Sequence, residues 1–413
     1  MPRRAVLVLC AVILAAAGFV VLLHSRGNGD LRREESTTVA TRTSAAVDWP
    51  TYGRDNARTH AATFHLGPPY RRLWSVYGDS SFIEFPPVVA DGHLYFATDR
   101  GRAAAVDSRT GRRLWQRPLG HCVAASPAVA GTIVLLSTMG PPPCDRGRGG
   151  LLALDSRSGL IRWRFPTAPI ESSPLVFGDV AIVGARDGRI YAVDVRTGSM
   201  RWRYQTGAAV KGGAAAAGGI VFIGSYDGYV YALRGSTGKL VWRARTPGPG
   251  HFYATPSVGA GVVFIGATDG FVLALDAGTG RLRWRRRLPS FVYASAAIAG
   301  KRVFVGSYDH RLYAFDAATG RSVWSVRGPG PVSGAPTVLG DLVFFSTCGS
   351  CSRFESDPAA RRTFAVDTRS GRIVWVYPDG EYSPVVTDGV RLYLTGFTTI
   401  YALAPVEALR RKG

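Results

Sequence analysis

The sequence predicts an all-β chain: an eight-bladed β-propeller of four-stranded antiparallel blades, closed by the N-terminal strand and preceded by an N-terminal transmembrane helix. Three observations carry this expectation. Tryptophan recurs at Trp74, Trp115, Trp163, Trp202, Trp242, Trp284, Trp324 and Trp375, at spacings of 41, 48, 39, 40, 42, 40 and 51 residues. A period of this size marks a repeat architecture in which each unit buries its apolar face on the next. Each unit also breaks into four short apolar runs at turns that bear Gly or Asp. Finally, the last unit runs out of chain before its tryptophan, while Trp74 has no three strands before it.

Taken from the N-terminus, Arg3 and Arg4 precede an uncharged apolar run over residues 5–23. Nineteen residues at about 1.5 Å each span roughly 28 Å, close to the hydrocarbon thickness of a bilayer. No small-x-small cleavage site follows it, and Leu7-Val8-Leu9 before Cys10 is not a lipobox. The expectation is an uncleaved signal anchor over 5–23. Residues 1–4 then stay in the cytoplasm, held by the two arginines. Residues 24–47, rich in Ser, Thr, Arg and Gly, are a flexible tether; 48–408 form the propeller and 409–413 a basic tail.

The repeat is clearest in blade 3. Its strands are expected at 174–177, 180–185, 189–194 and 199–204, separated by Gly178-Asp179, Arg186-Asp187-Gly188 and a turn over 195–198. The third turn recurs as Asp107…Gly111, Asp155…Gly159, Asp194…Gly198, Asp276…Gly280, Asp316…Gly320 and Asp367…Gly371, with Thr or Ser before each Gly. Asp can accept from the turn's own backbone donors, and Gly takes the positive-φ position. Blade 4 departs from this with Arg234…Gly238. The strand around Trp74 should supply the missing outer strand of the last unit, sealing the ring. The tryptophans are expected to wedge between neighbouring blades as apolar anchors.

The formal charge is +21, and all but four of the 50 basic residues are Arg. Such a surface favours anionic partners. Residues 1–47 hold only +3 of it, so the excess belongs to the folded body. An extracytoplasmic body makes nucleic acid an unsuitable partner, which leaves envelope proteins or anionic wall and lipid components. Arginines cluster about the docking tryptophans, as at Arg162 and Arg164, Arg201 and Arg203, or Arg283 and Arg285. Charges on exposed outer strands discourage edge-to-edge pairing, and they could also draw the rim to anionic polymers.

The Ala-x-Asp-x-x-Thr-Gly-x-x-x-Trp pattern resembles the Trp-docking repeat of the pyrroloquinoline quinone (PQQ) β-propeller superfamily. The segment from Asp48-Trp49-Pro50 to Asp55 resembles its lead-in, and the likeness covers about residues 48–408. It is specific for fold and not for function. The superfamily holds calcium- and quinone-dependent dehydrogenases as well as cofactor-free propellers of the BamB type that bind other proteins. In the quinone enzymes the cofactor stacks between a Trp floor and a disulfide of adjacent cysteines, with calcium held by acidic and amide side chains. Glu171 is similar in placement to the calcium-binding Glu. The rest of the pattern is absent: no cysteines are adjacent, no Trp is spare, and the only Asn residues, Asn28 and Asn56, precede the blades. The resemblance therefore points to the BamB-like branch, with neither PQQ nor calcium.

The residue three before each inner strand's Pro, or its equivalent, should ring the channel mouth. This places Glu84, Glu171, Lys211, Tyr253, Tyr293 and Glu381 there as candidate ligand-binding residues. No catalytic or metal-ligating set is expected: His121, His251 and His310 lack paired spacing. Cys122 and Cys144 map to blade 2, Cys348 and Cys351 to blade 7, all on the mouth face. In an oxidising compartment the expectation is two disulfides, Cys122–Cys144 and Cys348–Cys351, with a four-thiolate zinc site as the alternative. Cys348-Gly-Ser-Cys351 also has redox spacing, but without a thioredoxin-like βαβ context. Function is expected to be non-enzymatic binding or scaffolding in the cell envelope. A PQQ-dependent oxidoreductase and a small-ligand sensor are the rivals.

Overall fold

The computed structural model describes residues 47–77, 85–144, 146–351, 357–382 and 385–407. The expected anchor over 5–23, the tether as far as residue 46, Glu84 and the 409–413 tail lie outside these residues. Among the described residues, no helix is long and apolar enough to cross a membrane.

Eight antiparallel sheets form the ring. Blades are numbered here from residue 88, and in blade 3 the strands are Leu175–Phe177, Val180–Gly184, Arg189–Asp194 and Met200–Gln205. The second strand is buried along its whole length, and the third along nearly all of it, because each blade is covered by a neighbour on both faces. The outer strand exposes alternate side chains, which is why it tolerates Arg. Tyr70–Tyr77 pairs antiparallel with Thr399–Pro405, Trp74 opposite Ala402. The first strand thus completes blade 8, and the ring closes as the strand count requires.

Seven of the eight docking tryptophans, all but Trp375, reach across to the third turn of the next blade. Each indole N–H, which burial would otherwise leave unpaired, donates to a carbonyl there. Trp163 bonds Val195 at 2.9 Å, Trp202 bonds Gly235 at 2.8 Å and Trp284 bonds Ala317 at 2.8 Å. Trp74 makes the same bond to Arg109 across the closure, at 3.0 Å. Trp375 faces the one blade whose third turn is replaced by the chain ends. Tyr70 meets its ring edge-on instead, centroids 4.8 Å apart.

The turns are built as expected. Asp194 Oδ1 accepts from the amides of Arg196 (3.0 Å) and Thr197 (2.8 Å) and from the Thr197 hydroxyl, while Oδ2 takes Arg201 at 2.6 Å. The Arg201 bond and the amide bonds hold the Asp194 carboxyl well below the usual range.

The channel differs from the expected pore. Residues 47–62 run inside the ring and bond the inner strand of blade after blade. Val47 donates to Asp388 in blade 8, and Trp49 exchanges two bonds with Val89 in blade 1. Val129, Ala216, Val258, Ile298 and Val338 of blades 2, 4, 5, 6 and 7 donate to the carbonyls of Pro50, Asn56, Ala57, Thr59 and His60, at 2.6–2.8 Å. Blade 3 is reached by Arg58, whose Nη2 bonds the Pro174 carbonyl at 2.9 Å. The reason is general: the inward edges of eight inner strands present unpaired backbone groups that need partners. Arg58 is wholly buried. It also bonds the Ala214 carbonyl at 2.9 Å and Thr51 at 2.5 Å. Burial lowers its pKa to about 10, still far above neutrality. The lead-in segment therefore stoppers the channel, and the mouth is a cup.

Candidate functional site

The loops leading into the inner strands and those joining second to third strands meet on one face, at the rim of this cup. Three groups of side chains gather there.

The first is ionic. Glu171 of blade 3 pairs with Arg186 of its own blade and with Lys211 of blade 4, the latter at 3.5 Å. Lys211 Nζ also stands 5.0 Å from the centre of the Tyr226 ring, a cation–π contact. Sequence spacing placed Glu171 and Lys211 on successive blades, and the structure brings them into contact.

The second is aromatic. Tyr226 stacks on His251 (5.4 Å) and meets Tyr253 edge-on at 6.4 Å. Tyr253 lies 5.3 Å from Tyr293, which stacks on Phe291 and meets Tyr308 at 5.0 Å. An unbroken arc of rings thus spans blades 4 to 6. Phe291 is 39% exposed, His251 is exposed, and the tyrosines are half-buried. Phe252, between two arc residues, points the other way into the core. Tyr226 and Tyr308 escaped the sequence reading, though Ser-Tyr-Asp recurs at 225–227 and 307–309. Their neighbours Asp227 and Asp309 belong to the turns, accepting from the hydroxyls of Tyr231 and Tyr313 four residues on.

The third group is on blades 7 and 8. Both expected disulfides are present, Cys122–Cys144 and Cys348–Cys351, and the four-thiolate zinc alternative falls with them. Glu381 does not open onto the cup: at 1% exposure it is covered by the Cys348–Cys351 loop. Its Oε1 lies 2.8 Å from Cys348 Sγ and accepts from Ser350 Oγ at 2.7 Å, while Arg361 Nε approaches Oε2 at 3.2 Å. Burial pushes its pKa up. Ser333 Oγ is 3.1 Å from Cys351 Sγ.

The arginine rim is largely absorbed by the fold. Arg201 and Arg283 pair with the turn aspartates of their own blades. Arg117 and Arg286 reach the next blade's third turn, at Ser158 (2.8 Å) and Gly320 (2.6 Å). Arg243 lies over Tyr229, and Arg285 and Arg287 over Phe271.

Comparison with known proteins places this geometry. A family model described as outer membrane protein assembly factor BamB matches residues 70–211, 186–291 and 290–405. The chain is 33% identical over 209 residues to a quinohemoprotein alcohol dehydrogenase of Comamonas testosteroni, covering 45% of this chain and 28% of that one. It is 29% identical over 124 residues to the outer membrane protein assembly factor BamB of Nitrosomonas eutropha, covering 30% of this chain and 28% of that one. The chain thus spans under a third of either curated relative. Among solved structures, BamB from Moraxella catarrhalis superposes with a TM-score of 0.66 at 20% identity, over 81% of this chain and 100% of that one. The Comamonas testosteroni dehydrogenase gives 0.71 at 18% identity, over 87% and 80%. At these identities the structural likeness speaks for the fold alone.

Proposed function

The chain belongs to the family of the outer membrane protein assembly factor BamB, and from that premise we propose that it is a non-enzymatic binding or scaffold protein of the cell envelope, taking a protein partner at its mouth. The aromatic arc carries this reading. Linked Tyr, Phe and His rings with exposed edges offer rigid apolar area and polar tips, the chemistry enriched at protein interfaces. Lys211 and Arg186 beside the arc add charge for orienting a partner. The Nitrosomonas eutropha relative is an outer membrane protein assembly factor, which supports a protein partner.

The apolar run over 5–23 behind Arg3 and Arg4 supports a single-pass anchor in the cell membrane, with the propeller outside. Nucleic acid has no place in this reading. Anionic wall or lipid components rank behind protein, because many rim arginines already have partners.

The second reading, a PQQ-dependent oxidoreductase, is favoured by the likeness to the alcohol dehydrogenase and by Glu171. Its donor set fits calcium poorly, since a dication at Glu171 would meet both Lys211 and Arg186. The third, a small-ligand sensor, would use the same cup. Calorimetry of the purified propeller with PQQ and calcium separates enzyme from scaffold. The scaffold reading expects no binding at micromolar concentration; micromolar affinity abolished by Glu171→Gln would replace it with the enzyme.

A further inference from the structure

We propose that Cys348–Cys351 is a redox-active disulfide that exchanges with the cysteine thiols of a polypeptide, and that Glu381 gives and takes the proton of Cys348. The pair closes a loop of only two intervening residues, so it adds little to holding the chain together compared with Cys122–Cys144. It lies at the rim of the cup, with Cys351 partly exposed and Cys348 buried. Two polar groups face the two sulfurs, one each.

The contact at Cys348 is the informative one. A disulfide sulfur has no proton to donate, so the 2.8 Å approach of Glu381 Oε1 is a hydrogen bond only when the carboxyl carries the proton. Burial favours that neutral form. Oε2 accepts no hydrogen bond among the described residues, and Arg361 stands beside it at an angle unsuited to one. Ser350 and the Arg361 charge favour the ionised form and Asp379 the neutral one; burial is the largest influence and decides for the neutral carboxyl.

Exchange then proceeds in two balanced steps. A thiolate attacks Cys351 Sγ, the accessible sulfur; the bond to Cys348 breaks, and its electron pair leaves on Cys348 Sγ. That sulfur takes the Glu381 proton, leaving a Cys348 thiol that donates to a Glu381 carboxylate. A second thiolate of the same polypeptide attacks the mixed disulfide on the polypeptide's own sulfur and releases Cys351 as a thiolate, to which the Ser333 hydroxyl can donate. The polypeptide is oxidised by two electrons and the pair reduced by two. The polypeptide's two thiol protons go to solvent, and Glu381 stays ionised until reoxidation by a disulfide oxidant returns its proton. One round is stoichiometric. The proposal is independent of what occupies the aromatic arc.

The test uses purified protein mixed with a short peptide bearing two cysteines, followed by acid quench, alkylation and peptide mapping. Cys348–Cys351 should oxidise the peptide at least tenfold faster than Cys122–Cys144, and added oxidised glutathione should restore it. Glu381→Gln should slow exchange about tenfold at pH 6 and little at pH 8, where ionisation leaves the unaltered Glu381 less often with a proton to give. Equal rates for the two disulfides in the unaltered protein would overturn the proposal whether or not the variant folds. Zinc retained by the reduced pair against reoxidation would also overturn it, making the three side chains a metal site.

Discussion

The α-carbon of Gly198 lies flat against the indole of Trp163, so close that a β-carbon there would sit 2.7 Å from Cδ2. The same relationship joins Gly111 to Trp74, Gly238 to Trp202 and Gly320 to Trp284. The glycine meets two demands at once: a φ of +75° in the turn and a surface bare enough for the tryptophan of the preceding blade. Turn and dock are one device, and in blades 1 to 7 the turn Gly stands four residues before that blade's own tryptophan, as Gly198 does before Trp202.

Gly198→Ala should therefore destabilise more than an alanine at a glycine that meets only the first demand. Gly178 has a φ of +60° and nothing within 4 Å of a built β-carbon. Gly178→Ala should cost about 1 kcal/mol and Gly198→Ala about 2–4 kcal/mol, the difference being overpacking against Trp163. Urea unfolding of the two variants compares them directly, and equal losses would refute the docking role of the glycine.

Blade 4 offers the converse experiment. Arg234 stands where six other blades carry a turn aspartate; its carbonyl accepts from the Thr237 and Gly238 amides and its N–H donates to Lys239, so the turn keeps its backbone bonds without the aspartate's. Arg234→Asp should restore acceptance from the turn amides and stabilise by about 0.5–1.5 kcal/mol. A fall in melting temperature would show that the turn depends on something other than the aspartate.

The response to acid has two parts. His60 is buried against Tyr52, and burial pushes its pKa down to about 3. A histidine whose native pKa lies below its unfolded value of about 6.5 binds more protons unfolded, so stability falls as pH drops from there towards 3. By pH 4 the loss is about 3 kcal/mol. The turn aspartates, held low by arginine and hydroxyl bonds, add a second loss as pH falls below about 3.9 through their native values, about 2 for Asp276. Stability measured from pH 7 to 4 should slope downward in the native chain and flatten in His60→Leu. An unchanged slope in that variant would assign the effect elsewhere.

The stopper can be tested by Arg58. Its guanidinium serves the carbonyls of Tyr52, Pro174 and Ala214, so Arg58→Ala should leave buried acceptors unpaired and cost about 3–5 kcal/mol. Deleting residues 48–77 should do more, opening blade 8 and yielding insoluble or protease-sensitive protein. A soluble deletion product with a normal melting transition would contradict the closure.

The ring was legible because its determinants repeat. Trp163 and the turn from Asp194 to Gly198 belong to a pattern written seven times, so one good unit identifies the rest. The stopper was not, since residues 47–62 have no period and, Arg58 apart, are held largely through backbone groups that every residue supplies. At the mouth, counting back from Pro placed Glu171 beside Lys211 and Tyr253 beside Tyr293. It could not show that Glu381 is covered, because the covering loop belongs to an insertion on the neighbouring blade. Tyr226 and Tyr308 were hidden among ordinary turn residues, for a tyrosine in a hairpin loop becomes part of an arc only when two blades meet.

The central claim, that the mouth engages a protein, is tested most directly by photo-crosslinking in cells from positions on different faces. A crosslinking amino acid at Phe291 should give one discrete protein adduct, lost when Tyr226 and Tyr293 are both changed to Ser in a chain that still folds. The same probe at Asp179, on the exposed turn at the other end of blade 3, should give none. An adduct from Asp179 with no product from Phe291 would contradict the account.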